Sequence, residues 1–271
     1  MARYGMVIDL TRCAGCQTCV VSCQLTNNQR PGIAWGTVEA VEAGAWPDGD
    51  RLYLPHACMH CDDAPCVDVC ASGASTKRED GIVVVDYDTC IGCGSCDAAC
   101  PYGARRMSTE DTWFFGASSP APYEAEASHP AGISEKCIFC YKRIEQGLQP
   151  MCATSCPTGA RVFGDLDDAS SDINTYIAEN KATNMPGTAI YYVKGDHDID
   201  LASVIMVAGS AAPQKEKPEK AEEEKASEGI NPAVVGGGVV VAAAAAVGIG
   251  VAVKKSKDKK PSVEATTKDG E

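Results

Sequence analysis

Aromatic side chains are scarce in this chain: 6% of its 271 residues, with four phenylalanines and three tryptophans. That is thin material for the apolar core of one large or two small domains, so part of the cohesion has to come from elsewhere. Positive charge is scarce as well. Lys and Arg number 24 against 37 Asp and Glu, a formal net charge of -13. Nucleic-acid affinity rests on Lys and Arg contacts to phosphate, so this balance argues against DNA or RNA as a partner. The stretch Met1 to Leu10 lacks a charged segment followed by an apolar one, and it lacks a twin arginine, so no secretory signal is expected there. No glycine loop of the phosphate-cradling kind is present either.

What is abundant is cysteine. All sixteen fall in four sets. Cys90, Cys93, Cys96 and Cys100, closed by Pro101, read C-I-G-C-G-S-C-D-A-A-C-P, the bacterial ferredoxin spacing for holding iron–sulfur clusters. Three thiolates in a tight loop can cap three irons of one cube, while the fourth, displaced onto the following helix, points to another cluster. One such motif therefore demands a partner. Cys13, Cys16, Cys19 and Cys23 repeat the spacing without the proline, and Cys58, Cys61, Cys66 and Cys70 lengthen one gap. Cys137, Cys140, Cys152 and Cys156, closed by Pro157, stretch the same gap into a loop. Four cysteines per cluster give four clusters, and none is spared for nucleophilic chemistry. A secreted disulfide framework would scatter its cysteines as loop staples instead of repeating this spacing. Structural zinc uses pairs of C-x2-C clips and needs no third and fourth cysteine in the same run. If metal supplies the cohesion, an iron-free chain should be largely unfolded or aggregated.

The intervening segments read as short strands and helices. Tyr4, Met6, Val7 and Ile8 suggest a strand leading to Cys13, and Val20, Val21 and Leu25 a helix that ends before Pro31. Val38, Ala40 and Val41, then Leu52, Tyr53 and Leu54, suggest a hairpin around the turn at Trp46 to Asp50. Ile82 to Asp86 reads as a strand delivering the chain to Cys90. His60 lies inside a set that already has four thiolates, so a packing or hydrogen-bonding role is favoured over ligation. Residues 107–135 form an insertion with Trp113, Phe114, Phe115 and Tyr123, either a surface excursion packing its own aromatics or a docking arm. Arg161 to Phe163 reads as a strand, Asp167 to Lys181 as a helix, and Ile190 to Val193 as a closing strand.

The C-terminal part changes character. After a cluster domain over 1–207, residues 208–229 are dense in Lys, Glu and Pro and read as a disordered linker. Residues 230–253 are uncharged Val, Ala and Gly, long enough for a single transmembrane helix, though alanine and glycine make it modestly hydrophobic. The tail 254–271 opens with Lys254, Lys255 and Lys257. By the positive-inside rule the tail stays cytoplasmic, the chain is a single-pass protein of the cytoplasmic membrane, and the cluster domain lies on the extracytoplasmic face.

The residues around the cysteines point further. Cys58-Met59-His60-Cys61-Asp62-Asp63-Ala64-Pro65-Cys66, Ala99-Cys100-Pro101-Tyr102-Gly103-Ala104, and Cys156-Pro157-Thr158-Gly159-Ala160 with Phe163-Gly164-Asp165 resemble the iron–sulfur electron-transfer subunit of the dimethyl sulfoxide reductase family, whose partners are molybdopterin enzymes. The likeness runs from about Tyr4 to Val193. It implies an α+β fold of two pseudo-symmetric ferredoxin-like halves, the first cysteine set pairing with the fourth and the second with the third. Carried over residue by residue, Cys13, Cys16, Cys19 and Cys156 would hold one [4Fe–4S] cluster, and Cys23, Cys137, Cys140 and Cys152 the next. Cys58, Cys61, Cys66 and Cys100 would hold a third, and Cys70, Cys90, Cys93 and Cys96 the fourth. The resemblance also implies a molybdopterin-containing catalytic subunit, which would carry any export signal, and a membrane quinone-reactive subunit; the span at 230–253 departs from the family's plain tail. On this reading the chain conducts electrons and does no substrate chemistry of its own. The alternatives are a membrane-tethered polyferredoxin serving several enzymes and a zinc-stabilised interaction module.

Overall fold

Alternate residues of the first strand feed two different cores. Met6 and Ile8 join the larger apolar cluster, while Val7, on the opposite face, packs with Ile173 and Val193. This strand, β1 (Tyr4–Asp9), is one of the two inner strands of a four-stranded sheet. The computed structural model describes residues 2–44, 47–108, 113, 119–125, 131–197 and 199–210. The chain divides into two units, Met1–Lys217 and Pro218–Glu271, and the described residues all belong to the first.

From β1 the chain enters the first cysteine loop and helix α1 (Thr18–Thr26), then a hairpin of β2 (Thr37–Ala43) and β3 (Asp50–His56). Helix α2 (Pro65–Asp68), with Pro65 at its first turn, carries part of the second cysteine set. The antiparallel pair β4 (Ser75–Lys77) and β5 (Val83–Val85) delivers the chain to the third loop and helix α3 (Ser95–Ala98). Strand β6 (Arg106–Ser108) pairs antiparallel with β7 (Ile133–Glu135), and α4 (Pro122–Ala125) lies between them in sequence. Helices α5 (Tyr141–Ile144) and α6 (Met151–Thr154) bracket the long gap of the fourth set. Strand β8 (Arg161–Asp165), α7 (Asp172–Asn180), β9 (Thr183–Asn184), β10 (Ile190–Val193) and α8 (Leu201–Ser210) complete the described chain.

The main sheet runs β8-β1-β10-β9, with β1 antiparallel to β8 and parallel to β10. It therefore ties the start of the chain to the segment after the fourth cysteine set. The hairpin is tied in by Tyr192, whose hydroxyl donates to the Pro55 carbonyl at 3.2 Å.

One detail differs from the sequence reading. The helix expected from Asp167 starts at Asp172 instead. Asp168 Oδ1 accepts from the amide and hydroxyl of Ser170 at 2.9 and 2.7 Å, and Asn174 Nδ2 donates to the carbonyls of Asp165, Leu166 and Asp168. Those bonds hold the preceding residues in a turn, and the helix closes at Lys181, which is left-handed at φ 52. The insertion expected at 107–135 is rooted in the β6–β7 pair, so its first and last residues belong to strands. Of its aromatics, Trp113 lies beneath the Arg30 guanidinium at 4.6 Å. Phe114 and Phe115 lie outside the described residues, as does the Tyr123 side chain. Helix α8 runs across the expected boundary at 207, and the remainder of 208–229, the run 230–253 and the tail 254–271 lie outside the described residues. Among the described residues no helix is long and apolar enough to cross a membrane.

One buried carboxylate braces the sheet against α7. Asp9 is 2% exposed; its Oδ1 accepts from the amide and hydroxyl of Thr11 at 2.9 and 2.6 Å, and its Oδ2 accepts from the Tyr176 hydroxyl at 2.6 Å. Truncating it removes hydrogen bonds to a charged acceptor, a class worth about 1.5–3 kcal/mol. We expect Asp9→Ala to shorten the half-life of the cluster absorbance at a fixed elevated temperature; an unchanged half-life would show that the brace contributes nothing.

Candidate iron–sulfur sites

Each cysteine loop is wound by the residue just before its second cysteine. Gly15 and Gly92 occupy that place in the first and third loops at φ +66 and +65, and His60 and Phe139 in the second and fourth at 46 and 49. A left-handed residue there curls the loop so that successive sulfurs face one cavity. Space is also short at the glycines: a Cβ on Gly15 would lie 2.5 Å from the Tyr53 ring, and one on Gly92 would run into the Gly132 carbonyl oxygen. His60 and Phe139 carry the steric cost of that conformation, about 1–2 kcal/mol each, and they stack on one another with ring centroids 3.9 Å apart. His60 is buried and its Nδ1 accepts the Val83 amide at 3.0 Å. Burial, followed by the positive charges of Lys136 and Arg105, lowers its pKa well below the usual imidazole range. A neutral ring suits that acceptor role.

The sixteen thiols are all free, with no disulfide. Cys70, Cys90, Cys93 and Cys96 line one cavity, and Cys58, Cys61, Cys66 and Cys100 line another. Cys23, Cys137 and Cys152 line a third, and Cys140 interacts with both Cys23 and Cys152. Cys13 interacts with Cys19 and Cys156, and Cys16 with Cys156. The structure thus draws the fourth cysteine of each set away from its own loop and into the company of another.

The four groups are neighbours in a row. Cys152 interacts with Cys19, linking the first group to the second. Cys137 interacts with Cys58, which also borders the cavity of Cys23 and Cys152, linking the second to the third. Cys66 and Cys96 pack with Val83 in one small apolar cluster, linking the third to the fourth. Cys16 at one end and Cys93 at the other are exposed. The middle of the row is deep, and burial there pushes the Cys23 and Cys61 thiols up to about 12 and Cys137 well above the usual thiol range. At three thiols of the outer groups hydrogen bonds win: the Thr18 hydroxyl lowers Cys16, the Ser95 hydroxyl lowers Cys93, and the Ser75 amide, 3.3 Å away, leads in bringing Cys70 to about 7, whereas burial raises Cys13.

These residues fit iron–sulfur clusters on chemistry and on space. Thiolates are the ligands such clusters use, and backbone amides already point at the sulfurs, Ala104 to Cys100 at 3.4 Å and Ala160 to Cys156 at 3.3 Å. The thiols ring cavities, four to a space in two of them, as a multi-iron body requires. The sequence reading overlooked the His60–Phe139 stack and three cations beside the thiols, Arg105, Lys136 and Arg161. The signal for both arginines was present, since each directly follows a C-P-x-G-A stretch.

Comparison with known proteins agrees with this chemistry. The 4Fe-4S dicluster domain family matches twice, at residues 50–117 and 108–166. Two dicluster units account for four [4Fe–4S] clusters, the number that sixteen thiols can serve. A protein assigned as the iron–sulfur subunit of a dimethyl sulfoxide reductase in Halobacterium salinarum is 41% identical over 72% of this chain and 80% of its own length. The arsenate respiratory reductase iron–sulfur subunit of a Shewanella species is 36% identical over 71% of this chain and 96% of its own length. One of the subunits of tetrathionate reductase from Salmonella typhimurium is 37% identical, covering 78% of each.

Thiol reactivity tests the dependence of the fold on iron. In the chain stripped of iron, iodoacetamide should label all sixteen thiols at similar rates, because the short elements do not hold the inner cavities closed without clusters. Continued protection of Cys23 and Cys61 in the metal-free chain would show that the fold stands without iron.

Proposed function

The chain belongs to the family of iron–sulfur electron-transfer subunits of the molybdopterin reductases, and from that premise we propose that it carries electrons along its row of four clusters between a redox partner at one end and a molybdopterin catalytic subunit at the other. Bound in these cavities, the clusters supply one-electron exchange between iron valences without making or breaking bonds to substrate. The chain's own residues do the rest. Cys13, Cys16, Cys19 and Cys156 hold the first cluster, Cys23, Cys137, Cys140 and Cys152 the second, Cys58, Cys61, Cys66 and Cys100 the third, and Cys70, Cys90, Cys93 and Cys96 the fourth. The observation that carries this reading is the linear succession of thiol groups with a surface cysteine at each end.

Burial of the inner groups keeps water from the middle of the path, while the ends are open to partners. Exposed apolar residues accompany them: Val21 and Leu25 lie on α1, the helix that follows the first loop, and Ile91 follows Cys90 in the third. Such residues fit docking faces on which a partner's redox centre approaches the outermost cluster. The insertion 107–135 serves as the docking arm. In the same proposal the run 230–253 anchors the chain in the cytoplasmic membrane, the lysine-rich tail stays cytoplasmic, and the cluster domain lies on the other face, within reach of a quinone-linked partner. The relatives named for dimethyl sulfoxide, arsenate and tetrathionate leave several oxidants open for the complex, because substrate choice resides in the catalytic subunit.

Extraction from native membranes with mild detergent, without oxygen, tests the assignment. About sixteen irons and as much acid-labile sulfide per chain, as four cubes require, should accompany molybdenum or tungsten in the same fraction. The chain freed of its partner should keep its iron and show no turnover of any oxide or oxyanion. Iron without pterin metal in native complexes would favour a membrane-tethered polyferredoxin, and zinc without sulfide would overturn the cluster reading.

A further inference from the structure

Each gap between neighbouring thiol groups contains one cationic side chain. Between the first and second groups lies Arg161, the first residue of β8. Its guanidinium interacts with Cys19 of one group and Cys152 of the other, and its Nη1 is 3.3 Å from Met6 Sδ. The residue is partly buried and opens onto the cavity lined by Cys19, Cys23, Cys137 and Cys152. Between the second and third groups lies Lys136, 1% exposed, interacting with Cys137 on one side and with Cys58 and Cys66 on the other. Its Nζ donates to the carbonyls of Val83 and Cys137, the latter at 2.8 Å. Between the third and fourth groups lies Arg105, 2% exposed, interacting with Cys66 and Cys58 of one and Cys96 of the other. Its Nη1 and Nη2 are buried with no oxygen or nitrogen partner among the described residues.

A buried cation without a carboxylate partner is costly unless something nearby supplies negative charge. Cysteines lead among the negative charges acting on these three side chains, so the cluster sites supply compensating charge. Arg161 lines the cavity of Cys19, Cys23, Cys137 and Cys152, and Arg105 and Lys136 both line that of Cys58, Cys61, Cys66 and Cys100. The two arginines occupy equivalent places in the two halves. Arg105 follows Cys100-Pro101-Tyr102-Gly103-Ala104 and Arg161 follows Cys156-Pro157-Thr158-Gly159-Ala160. The repeated stretch carries the fourth cysteine of a set and then turns the chain so that the guanidinium comes back between that cysteine's group and the next.

We infer that Arg161, Lys136 and Arg105 are positioning residues for electron transfer, one cation in each gap of the row, each holding up the reduction potentials of the two clusters it lies between. Adding an electron makes a site more negative by one charge, and a fixed cation beside it favours that state, as an opposite charge within about 4–6 Å favours any charged form. Potentials of such clusters follow net charge, hydrogen bonding to sulfur and exposure, and these three side chains act on the first. Because every gap contains one, reduction of a site is eased from both sides in the middle of the row and from one side at its ends. The inference rests on the four-cluster reading.

The test is a redox titration of the anaerobically prepared full-length protein in its complex, followed by low-temperature EPR, with iron and sulfide measured on the same samples. Arg161→Gln should lower the potentials of two of the four clusters by a tenfold or larger change in their reduced-to-oxidised ratio, about 59 mV per tenfold for one electron. Arg105→Gln should lower the other two by a similar amount, and Lys136→Met one from each pair. Arg161→Lys and Arg105→Lys should keep each ratio within about threefold of the parent, since the charge stays in the gap while the fork geometry is lost. Full iron with unmoved potentials, or the same pair moving in both Gln variants, would overturn the inference and leave the relay standing. If the Gln variants lose their clusters, the Lys variants decide: retention of iron and potentials supports a requirement for charge, and equal loss of iron refutes it. A parent protein without iron–sulfur clusters would instead remove the reading on which all of this rests.

Discussion

Iron–thiolate bonding is the constraint on which the rest of this structure depends. Several of its strands are three residues long and five of its eight described helices are four residues. Elements that short cannot form or persist alone. All of them but α4 lie close to a cysteine in sequence, and each cavity draws thiols from two or more separated segments. A cluster is therefore a cross-link with four arms, and the pairing of first set with fourth and second with third links segments far apart in sequence. The conventional apolar core is real but supported from two sides, by the sheet that brings β1 between β8 and β10 and by Tyr192, which bridges from β10 to the hairpin.

The same bonding sets an electrostatic problem that the fold meets locally. The overall charge is -13, and the thiolate sites add further negative charge in the interior, where burial pushes the free thiols strongly towards neutrality. Backbone amides aimed at sulfur relieve part of that cost. Three cations placed between the sites relieve another part, and they do so where an electron has to pass. Neutral His60 and Phe139 close the centre between the halves without adding charge. Conduction and stability thus draw on the same few side chains, which ties changes in potential to changes in durability.

Much of this was legible in the residues. The spacing of Cys90 to Pro101 announces its ligand chemistry, and the strand at Tyr4, the β2–β3 hairpin and the strand before Cys90 follow from alternation and turn residues. The start of α7 was not, because the side-chain bonds of Asp168 and Asn174 that delay it to Asp172 compete with the helix in a way no periodicity reveals. The exchange of fourth cysteines between sets was suggested by family likeness, since spacing within one set cannot say which other set receives its last thiol. Arg105 and Arg161 were marked by the repeated C-P-x-G-A-R stretch, but arginine after a turn reads as surface charge, and the fold is what shows each one returning between two cavities.

Diffraction at the iron absorption edge, from crystals of the protein with its clusters, tests the central claim most directly. Four separate anomalous peaks in a single row, the outer two beside Cys16 and Cys93, are the predicted result. Fewer peaks, single ions at the cysteine loops, or a branched arrangement in which an inner group reaches the surface would contradict it.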